Sequence, residues 1–460
     1  MPKDPVLSAH AVSDNLFEIG GEFAPASIRD QMVRARLVVD RLIENGRIGK
    51  GGPDLLVIGA GSTGLTAAIR AASLDVRTVV ADKEPPGFRL SRCTSRDVEP
   101  TLYDWPASHW PEARFPWGGE AMPLPWTAKK ANEIALDWDI RLRAWRRALG
   151  KRLDIRYRTT VRLSSNVLAP SATPSDLVEV SCVNTAVQAP EKFGAVISCI
   201  GWGQESCEGL SAPYRTNYRG FDFWEKDEFQ DRNCGLASPP NILISGGGDG
   251  ALQDLIRILT RRSAAQAFAL VLDAMRGHPG VLAAVTEEIR EAEDIARRAL
   301  SWNLTEQHDA AVFRGLEDAH LRAIAHLKGS AAWPSVLRAV RLMLVDPEPI
   351  VHVGHGNPWF SQCYPLNRFL GLLLLDVAGG RIRKPETRVV RVVGHGHVCG
   401  GIPGDCHGKA HDVWIRDAAG VVTRHTYDVI ILRHGLVGPK RFFPGEALRV
   451  RQILPYRVQP

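Results

Sequence analysis

The feature that most constrains the fold is residues 54–82, where an apolar strand (DLLVI) runs straight into a glycine-rich turn. The turn carries Gly59, Gly61 and Gly64, and a stretch rich in helix formers follows it. A second apolar strand then ends on Asp82, about 20 residues after the turn. Strand, glycine turn, helix, strand and acid, in that order, form the fingerprint of a dinucleotide-binding βαβ unit.

Each position of the motif has its own physical reason. Gly59 permits the tight turn, Gly61 lets the backbone approach a pyrophosphate, and Gly64 lets the helix pack close to the strand. The helix N-terminus offers unpaired N–H groups to the phosphates, while Asp82 would accept hydrogen bonds from a ribose diol and disfavour a 2′-phosphate. The predicted cofactor-binding residues at this motif are Gly59, Gly61, Ser62, Thr63, Gly64, Asp82 and Lys83.

The same plan begins again in the second half of the chain. Residues 241–245 (NILIS) form an apolar strand that leads into Gly246, Gly248 and Asp249 and then a helical pattern. In each half, strand-like runs follow, and the last of them closes on a glycine, Gly201 in the first half and Gly435 in the second. The sequence therefore predicts an α/β fold with two Rossmann-like dinucleotide-binding domains, each with a β-meander.

A long insertion separates the second glycine turn from its next strand. Apolar residues recur at three- and four-residue steps within residues 263–346, which predicts about four helices. This helical subdomain is expected to be a lid, an oligomer interface or a self-contained structural insertion. The predicted domains are an N-terminal extension with an amphipathic helix (1–50), a first Rossmann-like domain (51–205), a second one (206–262 and 347–436), the helical insertion (263–346) and a tail (437–460).

This duplicated plan resembles the flavoproteins with two dinucleotide-binding domains, the superfamily of thioredoxin-reductase-like enzymes and flavin monooxygenases. The second motif, GGGDGA from Gly246, is similar to the glycine motif that holds NAD(P)H in that family. The resemblance implies FAD at the first motif. It also implies NADH or NADPH at Gly246, Gly248 and Asp249.

Two departures from the family pattern matter. The chain has no CxxC motif, so dithiol reductase chemistry is not expected. The family usually returns to the FAD domain through a C-terminal glycine-aspartate segment, and no such segment follows Gly435. Residues 241–249 (NILISGGGD) could themselves be that closing strand in a single FAD domain, although the second-domain interpretation explains the extra glycines and the second meander.

An aromatic and proline-rich segment, residues 96–117, follows the first βαβ unit. In flavoproteins of this plan such a segment often passes near the flavin ring, so Tyr103, Asp104 and His109 are the candidate catalytic residues, with Arg96 nearby. The alternative is a covering loop whose prolines prevent a long helix and whose tryptophans fill an interface.

Histidines and cysteines cluster between residues 395 and 411. His397, Cys399, Cys406 and His407 are ligand types that zinc prefers, but their spacing matches no standard finger. The expectation is therefore no metal, with this cluster as the alternative.

Composition narrows the functional classes. A formal charge of +6 over 460 residues is mild and does not demand nucleic acid. The apolar stretches are shorter than a bilayer span, the N-terminus lacks a secretory pattern, and the eight cysteines form no dense framework. The expectations are a cytoplasmic protein with a small-molecule substrate, no nucleic-acid or membrane partner, and self-association, if any, through the helical insertion.

Three functions fit these observations. The leading hypothesis is an FAD-dependent oxidoreductase that uses NAD(P)H and is more monooxygenase-like than dithiol reductase. The second is a single-site flavin oxidase of a small amine or amino acid. The third is a non-catalytic nucleotide-binding sensor or assembly protein.

Overall fold

The structure is a computed structural model. It describes residues 4–20, 27–52, 54–84, 88, 96–100, 105–106, 114–115, 122–163, 177–183, 190–201, 205, 222–224, 229, 239–301, 306–345, 350–354, 363–379, 382–383, 388–393, 411–417, 419–435 and 442–443. The chain divides into two compact units. Unit 1 comprises Met1–Ser91, Arg114–Gln204 and Leu436–Pro460, and unit 2 comprises Arg92–Ala113 and Glu205–Gly435.

The helices of the described residues are, in chain order, α1 (Pro5–His10), α2 (Ile28–Glu44), α3 (Ser62–Ser73), α4 (Ala131–Leu149), α5 (Asp249–Thr260), α6 (Ala264–Met275), α7 (Pro279–Ser301), α8 (Glu306–Lys328), α9 (Trp333–Met343) and α10 (Pro365–Ala378). The strands are β1 (Ala11–Ser13), β2 (Leu16–Glu18), β3 (Leu55–Ile58), β4 (Thr78–Asp82), β5 (Asp97–Val98), β6 (Arg114–Phe115), β7 (Trp126–Thr127), β8 (Lys129–Lys130), β9 (Leu153–Tyr157), β10 (Thr160–Leu163), β11 (Val178–Val183), β12 (Glu191–Phe193), β13 (Ala195–Ser198), β14 (Asn241–Ser245), β15 (Ile350–Gly354), β16 (Ile382–Arg383), β17 (Arg388–Val393), β18 (His411–Arg416), β19 (Val422–Tyr427) and β20 (Val429–Leu432).

Unit 1 is built on a six-stranded sheet in the order β1-β2-β13-β3-β4-β9. The strands from β2 to β9 in that order run parallel, and β1 pairs antiparallel with β2. The inner strands β3 and β13 are buried throughout, which is why their sequences are continuously apolar rather than alternating. An antiparallel meander, β10-β11-β12, branches off between β9 and β13.

Unit 2 repeats this order with β16-β15-β14-β20, all parallel, and with a second antiparallel meander, β17-β18-β19. The predicted two-fold repetition of a glycine-turn unit, a meander and a closing strand is therefore confirmed, as is the α/β fold class. Residues 241–245 form the centre of this second sheet. The alternative in which residues 241–249 close a single FAD domain is thus wrong.

The predicted helical insertion consists of α6 to α9. These helices share the main apolar core of unit 2 with α5 and α10. In α9, Val336, Val340 and Met343 face this core at three- and four-residue steps, the periodicity that predicted the helices.

The aromatic segment differs from its predicted place. The predicted bounds of the first domain include this segment, whereas its described residues, 96–100 and 105–106, belong to unit 2. Trp105 is 1% exposed and packs edge-on against Phe268 and at a tilt against Phe369. This tryptophan therefore fills the core of unit 2.

The sheet of unit 1 contains a strand that was not predicted from the sequence. The strand that lies beside β13 comes from the N-terminus, because β2 pairs with β13 in parallel from Leu16 to Glu18. The helix α2 follows β2 and packs on α3, as the amphipathic pattern of the N-terminal extension predicted. Unit 1 thus gains its additional strand and helix from the start of the chain.

Candidate functional site

The sheet of unit 1 has a topological switch point between β3 and β13. The connection from β3 through α3 leads to β4 on one side, whereas β13 pairs with β3 on the other side. In open α/β sheets, ligands bind in the crevice at the carboxyl ends of the strands at such a point. The first glycine motif lies there, between the end of β3 and the start of α3.

The glycines of this turn meet different surroundings. Gly59 has a φ of +104°, and a Cβ atom there would lie 2.5 Å from the carbonyl oxygen of Cys199. A Cβ at Gly64 would lie 2.0 Å from the carbonyl oxygen of Gly59. A Cβ at Gly61, in contrast, would meet nothing within 4 Å. Two of the glycines are therefore required by the protein's own packing, while Gly61 faces open space.

The first turn of α3 has neither a side-chain cap nor an acidic residue. Gly61 is its N-cap and supplies no side-chain cap, and no acidic residue lies in the first turn. Ser62 and Thr63 are half-buried at the helix start, and the Ser62 carbonyl accepts a hydrogen bond from Thr66 Oγ1. Backbone N–H groups that no side chain caps, at the positive end of a helix, are typical of anion-binding sites.

Asp82 lies at the carboxyl end of β4 and reaches the glycine turn. Its Oδ2 accepts the N–H of Ala60 at 2.6 Å, and its Oδ1 accepts the N–H of Glu84 at 2.9 Å. Each carboxylate oxygen has two lone pairs, so one more hydroxyl could bind at each. Asp82 thus fixes the turn and retains acceptor capacity for a ribose, while Lys83 beside it is exposed.

A second group of residues, which was not predicted from the sequence, lies at the carboxyl edge of this sheet. Glu18, at the end of β2, accepts hydrogen bonds from Ser198 Oγ at 3.3 Å and from the N–H of Phe442 at 2.9 Å. Phe443 packs into the meander core of unit 1. The signal was present in the sequence, since the apolar run from Leu16 is followed by two glycines and an amphipathic helix.

The helix α2 carries unusual charge for a buried element. Arg29, Asp30 and Arg34 are at most 1% exposed, and Arg29 pairs with Asp30 at 3.1 Å. Gln31 donates from Nε2 to the carbonyl oxygen of Gly20 at 3.0 Å, which ties the helix to the chain just after β2. Buried charges of this kind need partners and a defined position. The first turns of α2 are consequently a fixed, polar part of unit 1.

The second glycine motif copies the backbone geometry of the first. Gly246 has a φ of +144°, and a Cβ there would lie 2.2 Å from the carbonyl oxygen of Arg433, at the end of β20. Gly248 is the N-cap of α5 without a side-chain cap. Ala251 stands where the first motif has Gly64, a replacement that the fingerprint allows.

Asp249 makes contacts that the sequence did not predict. Its Oδ1 accepts the backbone N–H of Tyr364 at 2.7 Å and Asn367 Nδ2 at 2.9 Å, which joins the first turns of α5 and α10. Burial raises the pKa of Asp249 to about 7, against the opposing effect of these hydrogen bonds. In this structure the carboxylate of Asp249 is therefore engaged with α10.

Three buried arginines surround Asp254 on α5. Arg96, Arg433 and Arg257 reach its carboxylate at 2.6, 2.8 and 3.2 Å, respectively. Arg96 also lies 3.6 Å above the ring of Phe223, in unit 2. A buried ion cluster of this kind fixes positions more than it adds stability.

A serine and a histidine meet at the switch point of the second sheet. Ser245, at the end of β14, lies with its Oγ 2.7 Å from Nε2 of His434, which follows β20. The corresponding position in unit 1, one residue after Cys199, is Ile200. The second crevice therefore has a polar group where the first has an aliphatic one.

The three candidate catalytic residues, Tyr103, Asp104 and His109, lie outside the described residues, as do the alternative metal ligands His397, Cys399, Cys406 and His407. Within the described ranges no group of three or more His, Cys, Asp or Glu side chains could hold a metal ion. No helix in the part of the chain that the structure describes is both long and apolar enough to cross a bilayer.

Comparison with known proteins bears on the first motif. Residues 54–92 match a protein-family model described as an FAD binding domain. The match covers β3, the glycine turn, α3 and β4 and confirms the predicted resemblance to FAD-binding oxidoreductases. No curated protein matches the sequence.

Several solved structures are similar to the chain at low identity. The bacillithiol disulfide reductase Bdr from Staphylococcus aureus is 12% identical, with 84% of this chain and 76% of that chain covered and a TM-score of 0.39. The Lactococcus lactis thioredoxin reductase is 11% identical over 83% and 77%, with a TM-score of 0.36. The cyclohexanone monooxygenase is 14% identical over 84% and 71%, with a TM-score of 0.33. Overlaps this loose do not identify an activity.

Proposed function

We propose that the chain is an FAD-dependent oxidoreductase whose FAD binds at the switch point of unit 1. The observation that carries the proposal is the glycine turn at the carboxyl edge of β3. A Cβ would clash with the Cys199 carbonyl oxygen at Gly59 and with the Gly59 carbonyl oxygen at Gly64. At Gly61, next to a helix N-terminus without a side-chain cap, a Cβ would meet nothing within 4 Å. The family match to an FAD binding domain covers this segment.

The residues present fit the cofactor. The pyrophosphate would be held by the N–H groups at the start of α3, with Gly61 permitting close approach, and the adenosine ribose by Asp82. FAD, when bound, supplies the hydride and electron transfer, while the protein orients it and sets its electrostatic surroundings. The strand β2 completes the sheet on the far side of β13, and α2 follows from the same edge.

We further propose that unit 2 binds the electron donor, NADH or NADPH, at Gly246 and Gly248. The repetition of the close approach at Gly246 and the uncapped start of α5 support this assignment. Asp249 is held by Tyr364 and Asn367, so its part in our proposal is to fix the turn rather than to contact the nucleotide. The lack of a CxxC motif favours an organic substrate or oxygen as the electron acceptor.

The single-site oxidase remains the second candidate, because Asp249 places a carboxyl group in the first turn of α5, where it opposes a phosphate. Anaerobic titration separates the two. Bleaching of the flavin by NADH or NADPH supports a pyridine-nucleotide donor, whereas bleaching only by a small amine or amino acid supports the oxidase. A colourless protein that takes up no FAD would leave the non-catalytic sensor.

The decisive experiment compares Gly61→Ala with the wild type. Because an alanine at position 61 touches no protein atom within 4 Å, the variant should fold normally. Its methyl group should nevertheless block the pyrophosphate, so we expect the FAD content to fall by about tenfold or more. The measurements are the visible absorption spectrum, identification of the released ligand and far-ultraviolet circular dichroism.

Gly49→Ala provides the matched control, since a Cβ at Gly49 also meets nothing within 4 Å and lies outside the turn. This control should keep its full FAD content. Normal FAD content in Gly61→Ala would contradict the proposed site.

A further inference from the structure

The outer face of α4 in unit 1 has a composition that the proposed function does not use. The opposite side of the helix buries Ile134, Trp138 and Leu142 in unit 1. On the outer face, Leu136 and Ile140 are each 64% exposed. Residues four apart on a helix lie next to each other, so these two side chains form one apolar contact.

The same face becomes basic toward the C-terminal end of the helix. Arg143 and Arg147 continue the row that begins at Leu136 and Ile140, at helical steps of three and four. Arg141, Arg146 and Lys151 are also exposed around the end of the helix. Arg143, Arg146 and Arg147 line an open cleft with Gly150 and Leu153.

Ion pairs near the end of the helix use only some of these cations, and Arg147 Nε donates to the carbonyl oxygen of Arg143 within the helix. Arg143 pairs with Asp139, and Arg152 pairs with Asp75. Among the described residues, no carboxylate forms an ion pair with Arg141, Arg146, Arg147 or Lys151. Cations in the last turn of a helix stabilise it through the macrodipole, but that effect does not explain the adjoining exposed leucine and isoleucine.

We propose that this α4 surface, defined as Leu136, Ile140, Arg143, Arg146, Arg147 and Lys151, is the docking site of an acidic protein. An apolar contact bordered by charge is the usual anatomy of a protein interface, and arginine is enriched there. Carboxylates on the partner would complement the cations that have no ion pair among the described residues, and they would steer the encounter.

The distribution of charge argues against a lipid surface. A helix that lies on an anionic bilayer carries cations along its polar face beside a broad apolar face. Here the apolar contact consists of two side chains. Lys129 and Arg143 already pair with Asp137 and Asp139, so the remaining cations lie around the last turn and not along the whole helix, as a bilayer would need.

The test uses a photo-crosslinking amino acid at Ala144, an exposed position among the arginines, in the full-length protein expressed in its native host. The captured protein is identified, purified separately and titrated against the wild type and the double variant Arg146→Glu/Arg147→Glu. We expect an acidic protein whose Kd rises by about tenfold or more in the double variant and rises with salt in the wild type.

The matched control is Arg338→Glu/Arg341→Glu, which makes the same charge change on the exposed face of α9 in unit 2. This control should bind the partner like the wild type. The proposal is overturned if nothing is captured, if a second copy of this chain is captured, or if both double variants bind alike. Binding to phosphatidylglycerol vesicles that is lost only in Arg146→Glu/Arg147→Glu would assign the surface to lipid and also overturn it.

Discussion

Glycine acts in two different ways in these turns. At Gly59 and Gly246 the chain needs a positive φ, and a carbonyl oxygen of the closing strand lies where a side chain would begin. Any other residue there would strain the backbone and push the strands apart. At Gly61 neither condition holds, so the fold does not require the lack of a side chain there, whereas the cofactor site that we propose does. This distinction is what allows Gly61→Ala to test binding separately from folding.

Asp249 should make the stability of the protein depend on pH. Its pKa is about 7 in the folded chain and about 4 when unfolded, so the folded state holds the proton more tightly. Its contribution is therefore fully present below about pH 4 and is lost as the pH rises through about 7. Asp249→Asn keeps an oxygen for Tyr364 and Asn367 and removes this titration. We expect the free energy of unfolding, measured with urea, to fall with rising pH more in the wild type than in the variant between pH 5 and about 8. Parallel pH profiles would contradict this assignment.

At the level of elements, the start of α2 is fixed by hydrogen bonds between residues close in sequence. Ser27 Oγ accepts the N–H of Asp30 at 3.0 Å, and Asp30 Oδ2 accepts the N–H of Ser27 at 3.4 Å. The two hydrogen bonds form a capping box. The box fixes the N-cap of α2, Ser27, seven residues after Gly20. It therefore determines where the buried Arg29 and Arg34 lie in unit 1.

Replacing Ser27 with alanine should cost about 1 kcal/mol of the free energy of unfolding. Ser263 caps α6 with the same box but is more exposed, and its bond to Gln266 is longer at 3.3 Å. Ser263→Ala should therefore cost less, because water can replace the lost bond. Thermal or urea denaturation of the two variants side by side measures the difference. A larger loss for Ser263→Ala would contradict the importance assigned to the buried cap.

At the level of the whole molecule, each unit has its own apolar core. The meander core of unit 1 includes residues from both ends of the described chain, Leu16 in β2 and Phe443. The core of unit 2 joins the parallel sheet, α5, α10 and the helical insertion, with Trp105 among them. The insertion is thus a structural part of unit 2, whatever further role it has.

The ion cluster of unit 2 predicts a large effect of one substitution. Asp254→Ala would leave three buried guanidinium groups, of Arg96, Arg257 and Arg433, without their shared carboxylate. Loss of one partner of a buried ion pair costs about 3–5 kcal/mol. Asp273→Ala removes a carboxylate from an exposed pair with Arg276 and should cost less than about 1 kcal/mol. Urea denaturation compares the two, and equal losses would contradict the proposed role of the cluster.

Much of the architecture could be predicted because it depends on local patterns. The strands at residues 241–245 and the four helices of the insertion follow from apolar periodicity, which records the face that each element buries. The place of β2 could not be predicted in this way. Its three residues, Leu16 to Glu18, form a strand by pairing with Val196 to Ser198, which lie far along the chain. The contact of Asp249 with α10 was missed for the same reason.

By itself, the sequence determined the two glycine-turn units, their order and the first cofactor motif, because glycine, apolar runs and a terminal acid act over short distances. Only the tertiary structure decided which strand completes the first sheet, which glycine is open to a ligand, and that Arg96 and Trp105 belong to unit 2. Those outcomes depend on pairing and packing between segments distant in sequence. Local periodicity shows which face an element buries but does not show which distant segment covers that face.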